Sequence, residues 1–173
     1  MQLTFFDERD TTVLRSWFPS QQAVVQWAGP GVAWPLTDGF LATLLNSASQ
    51  QPATLLTFTA RQEGQQVAVA QLGFDWDNHL ACLCRVVVNP QMRGQGLAEQ
   101  MLQRLIDNAF RQPPIERIEL QVYPFNGAAV RTYEKLGFVR EGVRRACVAV
   151  GEERWDSAFY GLLRTEYSAR SAA

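Results

Sequence analysis

At 173 residues with 47% apolar side chains, the chain suits one domain with a sizeable core and is too apolar for disorder. Its 16 Lys and Arg against 17 Asp and Glu leave no global field for nucleic acid or a membrane surface. No apolar run approaches the roughly 18 residues of a membrane span, and the opening MQLTFFDERD lacks the features of a secretory leader. A cytoplasmic protein is therefore expected, one domain over residues 1–173.

Taken in chain order, Gln2–Asp7 reads as a short strand. From Thr11 to Ala60 the only charges are Arg15 and Asp38, while Trp17, Phe18, Trp27, Trp34, Phe40 and Phe58 supply aromatics. Ser20–Ala28 and Thr37–Ser49 read as short helices punctuated by Pro19, Pro30 and Pro35. Thr54–Arg61, Gln66–Asp75 and Leu80–Asn89 are rich in β-formers and predict an antiparallel meander. Cys82 and Cys84 share one face of the last of these strands, as small apolar side chains. Three cysteines and the single His79 make neither a disulfide framework nor a zinc set, and no metal is expected.

A helix follows over Gly94–Arg111, with Leu97, Met101, Leu105 and Ala109 recurring every four residues and Pro113–Pro114 ending it. Arg117–Tyr123 alternates Ile118, Leu120 and Val122 with Glu119 and Gln121, the pattern of a strand. Asn126–Leu136 reads as a helix with Asn126 as cap and Gly137 after its end. Phe138–Val150 and Arg154–Leu163 predict a closing hairpin turning at Gly151, and residues 164–173 a frayed tail. The expected fold is α/β: a mixed, largely antiparallel sheet of about six to seven strands with helices on both faces. Residues 54–163 would form its core, with the helices of residues 1–53 beside it; in the family that the motifs below resemble, such a region shapes the acceptor site.

Two motifs carry chemistry. In 89-NPQMRGQGLA-98, two glycines join an apolar strand to a helix start. Glycine lets a group approach the main chain closely, and a helix N-terminus offers unpaired N–H groups to an anion. The dinucleotide fingerprint fails because Glu99 stands at its third glycine, and a nucleoside-triphosphate loop fails for want of Gly-Lys-Ser/Thr. Downstream, Asn126 and Tyr133 are seven residues apart and so share one helix face.

Gln91-Met-Arg-Gly-Gln-Gly96 followed by Asn126-x-x-Ala-x-x-x-Tyr133-x-Lys-x-Gly-Phe138 resembles the GNAT superfamily of acyl-CoA-dependent N-acetyltransferases, specifically over Val86–Phe138. The looser likeness of 141-EGVRR-145 and 154-RWDSAFYGLL-163 is to the ribosomal-protein and polyamine branches. The resemblance implies acetyl-CoA as acetyl donor and a primary amine, on a small molecule or a protein N-terminus, as acceptor. It implies that the pyrophosphate rests on the arch from Gln91 and Arg93 through Gly94, Gln95, Gly96 and Leu97 to Ala98. The backbone of Val86, Val87 and Val88 would hold the pantetheine arm in a V-shaped cleft between splayed strands, assisted by Asn126. Tyr133 would be the general acid at the sulfur.

Some relatives place a glutamate as base where this chain has Gln121; Glu119 is the candidate substitute, with Asp75, Asp77 and His79 as rivals. Trp27, Trp34 and Asp75 are the candidate acceptor residues. A monomer or homodimer is expected, with no nucleic-acid or membrane partner. The rival reading is a non-catalytic acyl-CoA-binding module.

Overall fold

The computed structural model describes residues 1–46 and 52–171. Seven strands form one sheet: β1 (Gln2–Phe5), β2 (Leu55–Gln62), β3 (Gln65–Asp75), β4 (Leu80–Val88), β5 (Arg117–Val122), β6 (Val139–Val150) and β7 (Glu153–Leu163). Their spatial order is β1-β2-β3-β4-β5-β7-β6, and every pairing is antiparallel except the central β4–β5.

Each face of the sheet buries its own apolar cluster, because side chains alternate along a strand. On one side α4 (Leu97–Phe110) and α5 (Gly127–Lys135) cover Ala68, Ala70, Leu72, Leu83, Leu120 and Leu162. The stripe expected from the sequence is what α4 buries: Leu97, Met101, Leu102, Leu105, Ile106 and Ala109 are each 3% exposed or less. A fully buried side chain of this kind stabilises by roughly 1.5–3 kcal/mol, so the stripe fixes α4 against the sheet. On the other side α1 (Glu8–Arg15), α2 (Gln21–Ala28) and α3 (Asp38–Leu45) pack Leu14, Val24, Leu41 and Leu44 on Val69 and Val87.

Three expectations change. The helix α1 follows directly on β1, where only a strand to Asp7 was expected. It carries too few apolar residues to show a stripe, and a capping box between Asp7 and Asp10 starts it. Asp10 is then wholly buried, accepting from Thr59 Oγ1 at 2.7 Å and pairing with Arg61 at 2.6 Å. The supposed tail is a helix, α6 (Arg164–Ser171). It docks because the Tyr167 ring stacks on Phe110, its hydroxyl bonds Asp107, and Arg164 donates to the carbonyls of Phe110 at the end of α4 and of Gln112 and Ile115 beyond it. The helix α4 begins at Leu97 rather than Gly94, since both glycines are spent on the turn before it. The end expected for α3, at Ser49, lies outside the described residues.

Candidate active site

The strands β4 and β5 begin as partners and then part. Their parallel register runs from Leu80–Arg117 to Leu83–Leu120 and stops there. The cause lies on the other edge of β4. Gln71 of β3 pairs with Cys84 and Val69 pairs with Val87, so Arg85 and Val86 together oppose Ala70. This is a bulge, and Arg85 sits in it with φ +46°. An inserted residue bends a strand and increases its twist, which carries residues 84–88 away from β5. The expected V-shaped opening follows.

The helix α2 spans this opening on the α1–α3 face. Trp27 donates its indole N–H to the Arg85 carbonyl at 2.6 Å. Two residues earlier, the Val25 carbonyl accepts from Tyr123, just beyond β5, at 3.4 Å. One short helix thus holds both limbs of the V. Trp27 is itself fixed by stacking on Phe18, 4.6 Å between centroids, and by an edge contact with Phe40 at 5.9 Å.

The widening end of the cleft leads to the arch. The Asn89 side chain accepts from the Gln91 N–H at 3.1 Å and starts a single 3₁₀ turn, Pro90–Met92. Gly94 and Gly96 then take φ +79° and +72°, a left-handed region that costs other residues roughly 1–2 kcal/mol. With Gly96 at its N-cap, α4 starts without a side-chain hydrogen bond to its first N–H groups. Gln91, Arg93, Gly94, Gln95 and Gly96 are exposed, so the arch is an open seat with an uncapped helix dipole behind it. An added Cβ at either glycine meets nothing within 4 Å. The requirement for glycine is therefore conformational.

On the opposite limb, Asn126 caps α5 through Oδ1, accepting from Ala129 at 3.4 Å, which leaves its amide N–H groups available to a ligand. Tyr133 lies seven residues on, 7% exposed, with its ring edge-on to Phe138 at 6.0 Å. Burial, and to a lesser degree the neighbouring Cys84, pushes its phenol well above the ordinary value of 10.0, so it stays protonated.

Glu119 projects from the face that α1–α3 cover further along the sheet; it pairs with Cys82 across the strands and lies beside Arg117 at 3.5 Å. Gln121 is nearer the opening and accepts from Ser157 at 3.5 Å. Asp75 sits in the β3–β4 turn, bonded to Asn78 at 2.8 and 3.0 Å, and the Asn78 side chain holds its carboxyl below the usual range. From Leu80 to Cys84 is about 13 Å at 3.3 Å per residue, so Asp75 lies at the closed end of β4. Trp34 is 45% exposed and donates to the Phe18 carbonyl at 2.9 Å. Trp27 meets the β4 limb at Arg85, while Asn126 and Tyr133 stand on the helix that follows β5, with Tyr133 in the cluster on the opposite face of the sheet; Asp75 lies at the other end of β4. Sequence reasoning passed over Arg85, although a lone charge inside LACLCRVVV was the available signal.

The parting of the central strands thus leads to an exposed, glycine-built helix start whose free N–H groups can receive an anion. Residues 21–138 match the family described as Acetyltransferase (GNAT) family. YnaD of Bacillus subtilis, an uncharacterized N-acetyltransferase, is 30% identical over 82 residues, 47% of this chain and 48% of its own, so the chain spans about half of that relative. Aminoglycoside N(6')-acetyltransferase type 1 of Klebsiella pneumoniae is 26% identical over 154 residues, 81% of this chain and 74% of its own. The spermidine N-acetyltransferase of Vibrio cholerae, solved with CoA and spermine, shares the fold with a TM-score of 0.80 at 19% identity, over 96% of this chain and 97% of its own. The chain belongs to the GNAT family and is by class an acetyl-CoA-dependent N-acetyltransferase.

Proposed function

We propose that the chain transfers acetyl directly from acetyl-CoA to a primary amine in the cleft between β4 and β5. One observation carries this reading: the strands part at Cys84, and the opening leads straight to an uncapped, glycine-built arch. The N–H groups of Arg93–Ala98 hold the pyrophosphate, as helix starts hold anions generally. The freed backbone of Val86–Val88 replaces the lost partner strand for the pantetheine arm, and Asn126 donates to it from the other limb. The thioester brings the activated acyl group.

The protein's own work is orientation and proton handling. Backbone N–H groups at the bulge polarise the carbonyl. Tyr133, kept protonated by burial, gives its proton to the departing sulfur. The amine approaches from the α1–α3 face, where Glu119 takes its proton through water, since Gln121 has no basic oxygen to offer. The named relatives act on aminoglycosides and spermidine, which supports a primary amine as acceptor.

The test is paired. Calorimetry should show acetyl-CoA binding, and adding mixed amines should release free CoA thiol together with acetylated amine by mass spectrometry. Acetyl-CoA binding with no thiol release from any amine would establish the non-catalytic acyl-CoA-binding module instead.

A further inference from the structure

Arg85 is the only charged residue in the run 80-LACLCRVVV-88, and it stands at the bulge that opens the cleft. Its guanidinium is half-buried over the Phe40 ring, 5.6 Å from the centroid. Five N–H donors in a planar fork call for acceptors, yet the protein supplies a neutral one, Gln71 Oε1, to Nη1 at 2.5 Å. Gln71 is itself held by donating to Thr57 at 2.8 Å. Nε of Arg85 is buried with no partner. Among the described residues no carboxylate lies within 4.0 Å of Arg85, and what sets it apart from other unpaired arginines is its burial and its unmet Nε.

A half-buried guanidinium without a counter-charge is costly, and the buried Nε–H left without an acceptor adds most to that cost. The charge lies on the acceptor face: Gln71 pairs with Cys84, and Cys82 in turn pairs with Glu119. It is adjacent to Val86, where the thioester carbonyl would lie. We infer that the amine acceptor carries a carboxylate, as an amino acid or the free end of a short peptide does, and that the Arg85 guanidinium binds it while the amine meets the thioester. This rests on the acetyltransferase reading above. Arginine suits the task because its fork matches a carboxylate with two parallel hydrogen bonds. A polycation without a carboxylate would bring like charge to the same place.

The experiment compares amine acceptors in matched pairs, free amino acids and their carboxamides, with spermidine alongside, following thiol release at saturating acetyl-CoA. The expected result is kcat/KM at least about tenfold higher for acids than for their amides, the scale of one charged hydrogen-bonded pair. Arg85→Gln should bring that ratio near one, and Arg85→Lys should restore part of it, with acetyl-CoA affinity unchanged by calorimetry in both. Amides or spermidine outpacing every acid, in wild type, overturns the inference without needing a variant. So does an Arg85→Gln variant that slows acids and amides equally. If no member of the panel turns over, the Nε–H resonance of Arg85 in the CoA-loaded protein is titrated with the amino acids: a shift supports the site, and its absence overturns it. Failure to bind acetyl-CoA at all would instead overturn the transferase reading itself.

Discussion

Replacing Tyr133 with Phe removes one hydroxyl from a ring that is 7% exposed and edge-packed on Phe138. Among the described residues no protein group bonds that hydroxyl, so its loss strands no partner, and folding stability should shift by no more than about 1 kcal/mol. The chemistry should respond far more. General acid catalysis is typically worth about 10²–10⁴-fold, and water in the cleft replaces part of it, so kcat should fall at least tenfold. Steady-state thiol release at saturating acetyl-CoA measures this, with calorimetry confirming unchanged coenzyme affinity.

The pH dependence follows from burial. The folded phenol titrates above its ordinary value of 10.0, so it should produce no alkaline fall in rate below that pH. A raised pKa means the folded state retains a proton that the unfolded chain releases. The associated stability is full below about pH 10 and is lost as pH rises toward the folded value. Wild type should therefore lose melting temperature more steeply than Tyr133→Phe above that point. Full kcat in the Phe variant would refute the acid role. A wild-type alkaline limb below pH 10 that disappears in Tyr133→Phe would refute the burial argument.

Gly94→Val should cost folding roughly 1–2 kcal/mol from its φ of +79°, though its Cβ meets nothing, and should weaken acetyl-CoA at least tenfold by tilting the arch N–H groups; unchanged affinity in a folded variant would dismiss the arch. Trp27→Phe keeps the stacking on Phe18 but loses the 2.6 Å bond to the Arg85 carbonyl. It should lower stability by about 1 kcal/mol and reduce kcat/KM for acetyl-CoA, both absent if the indole only fills space.

Most of the secondary structure was legible because each element announces itself locally. The four-residue recurrence in α4 and the alternation in β5 follow from where side chains point along a helix or strand. The glycine pair and the Asn126–Tyr133 spacing were equally local signals: both glycines take the positive φ of a turn, and Asn126 caps the helix that carries Tyr133. What the sequence lacked were features whose cause lies across the fold. The helix α1 rests on a capping box and on a buried Asp10 whose partners, Thr59 and Arg61, lie about fifty residues away. The tail became a helix because Phe110 and the open end of α4 give Tyr167 and Arg164 something to hold.

The cleft itself was decided in three dimensions. A run of valines gives no sign of which residue will bulge, since that depends on the register with β3. Nothing near Trp27 in the chain shows that its indole will meet the carbonyl of Arg85, 58 residues on. Residue types and local periods are written in the chain, but register, bulge position and the pairing of distant polar groups come only from the packing of sheet against helix. Those contacts bring Trp27 and Arg85 to the cleft and leave Asp75 at its closed end.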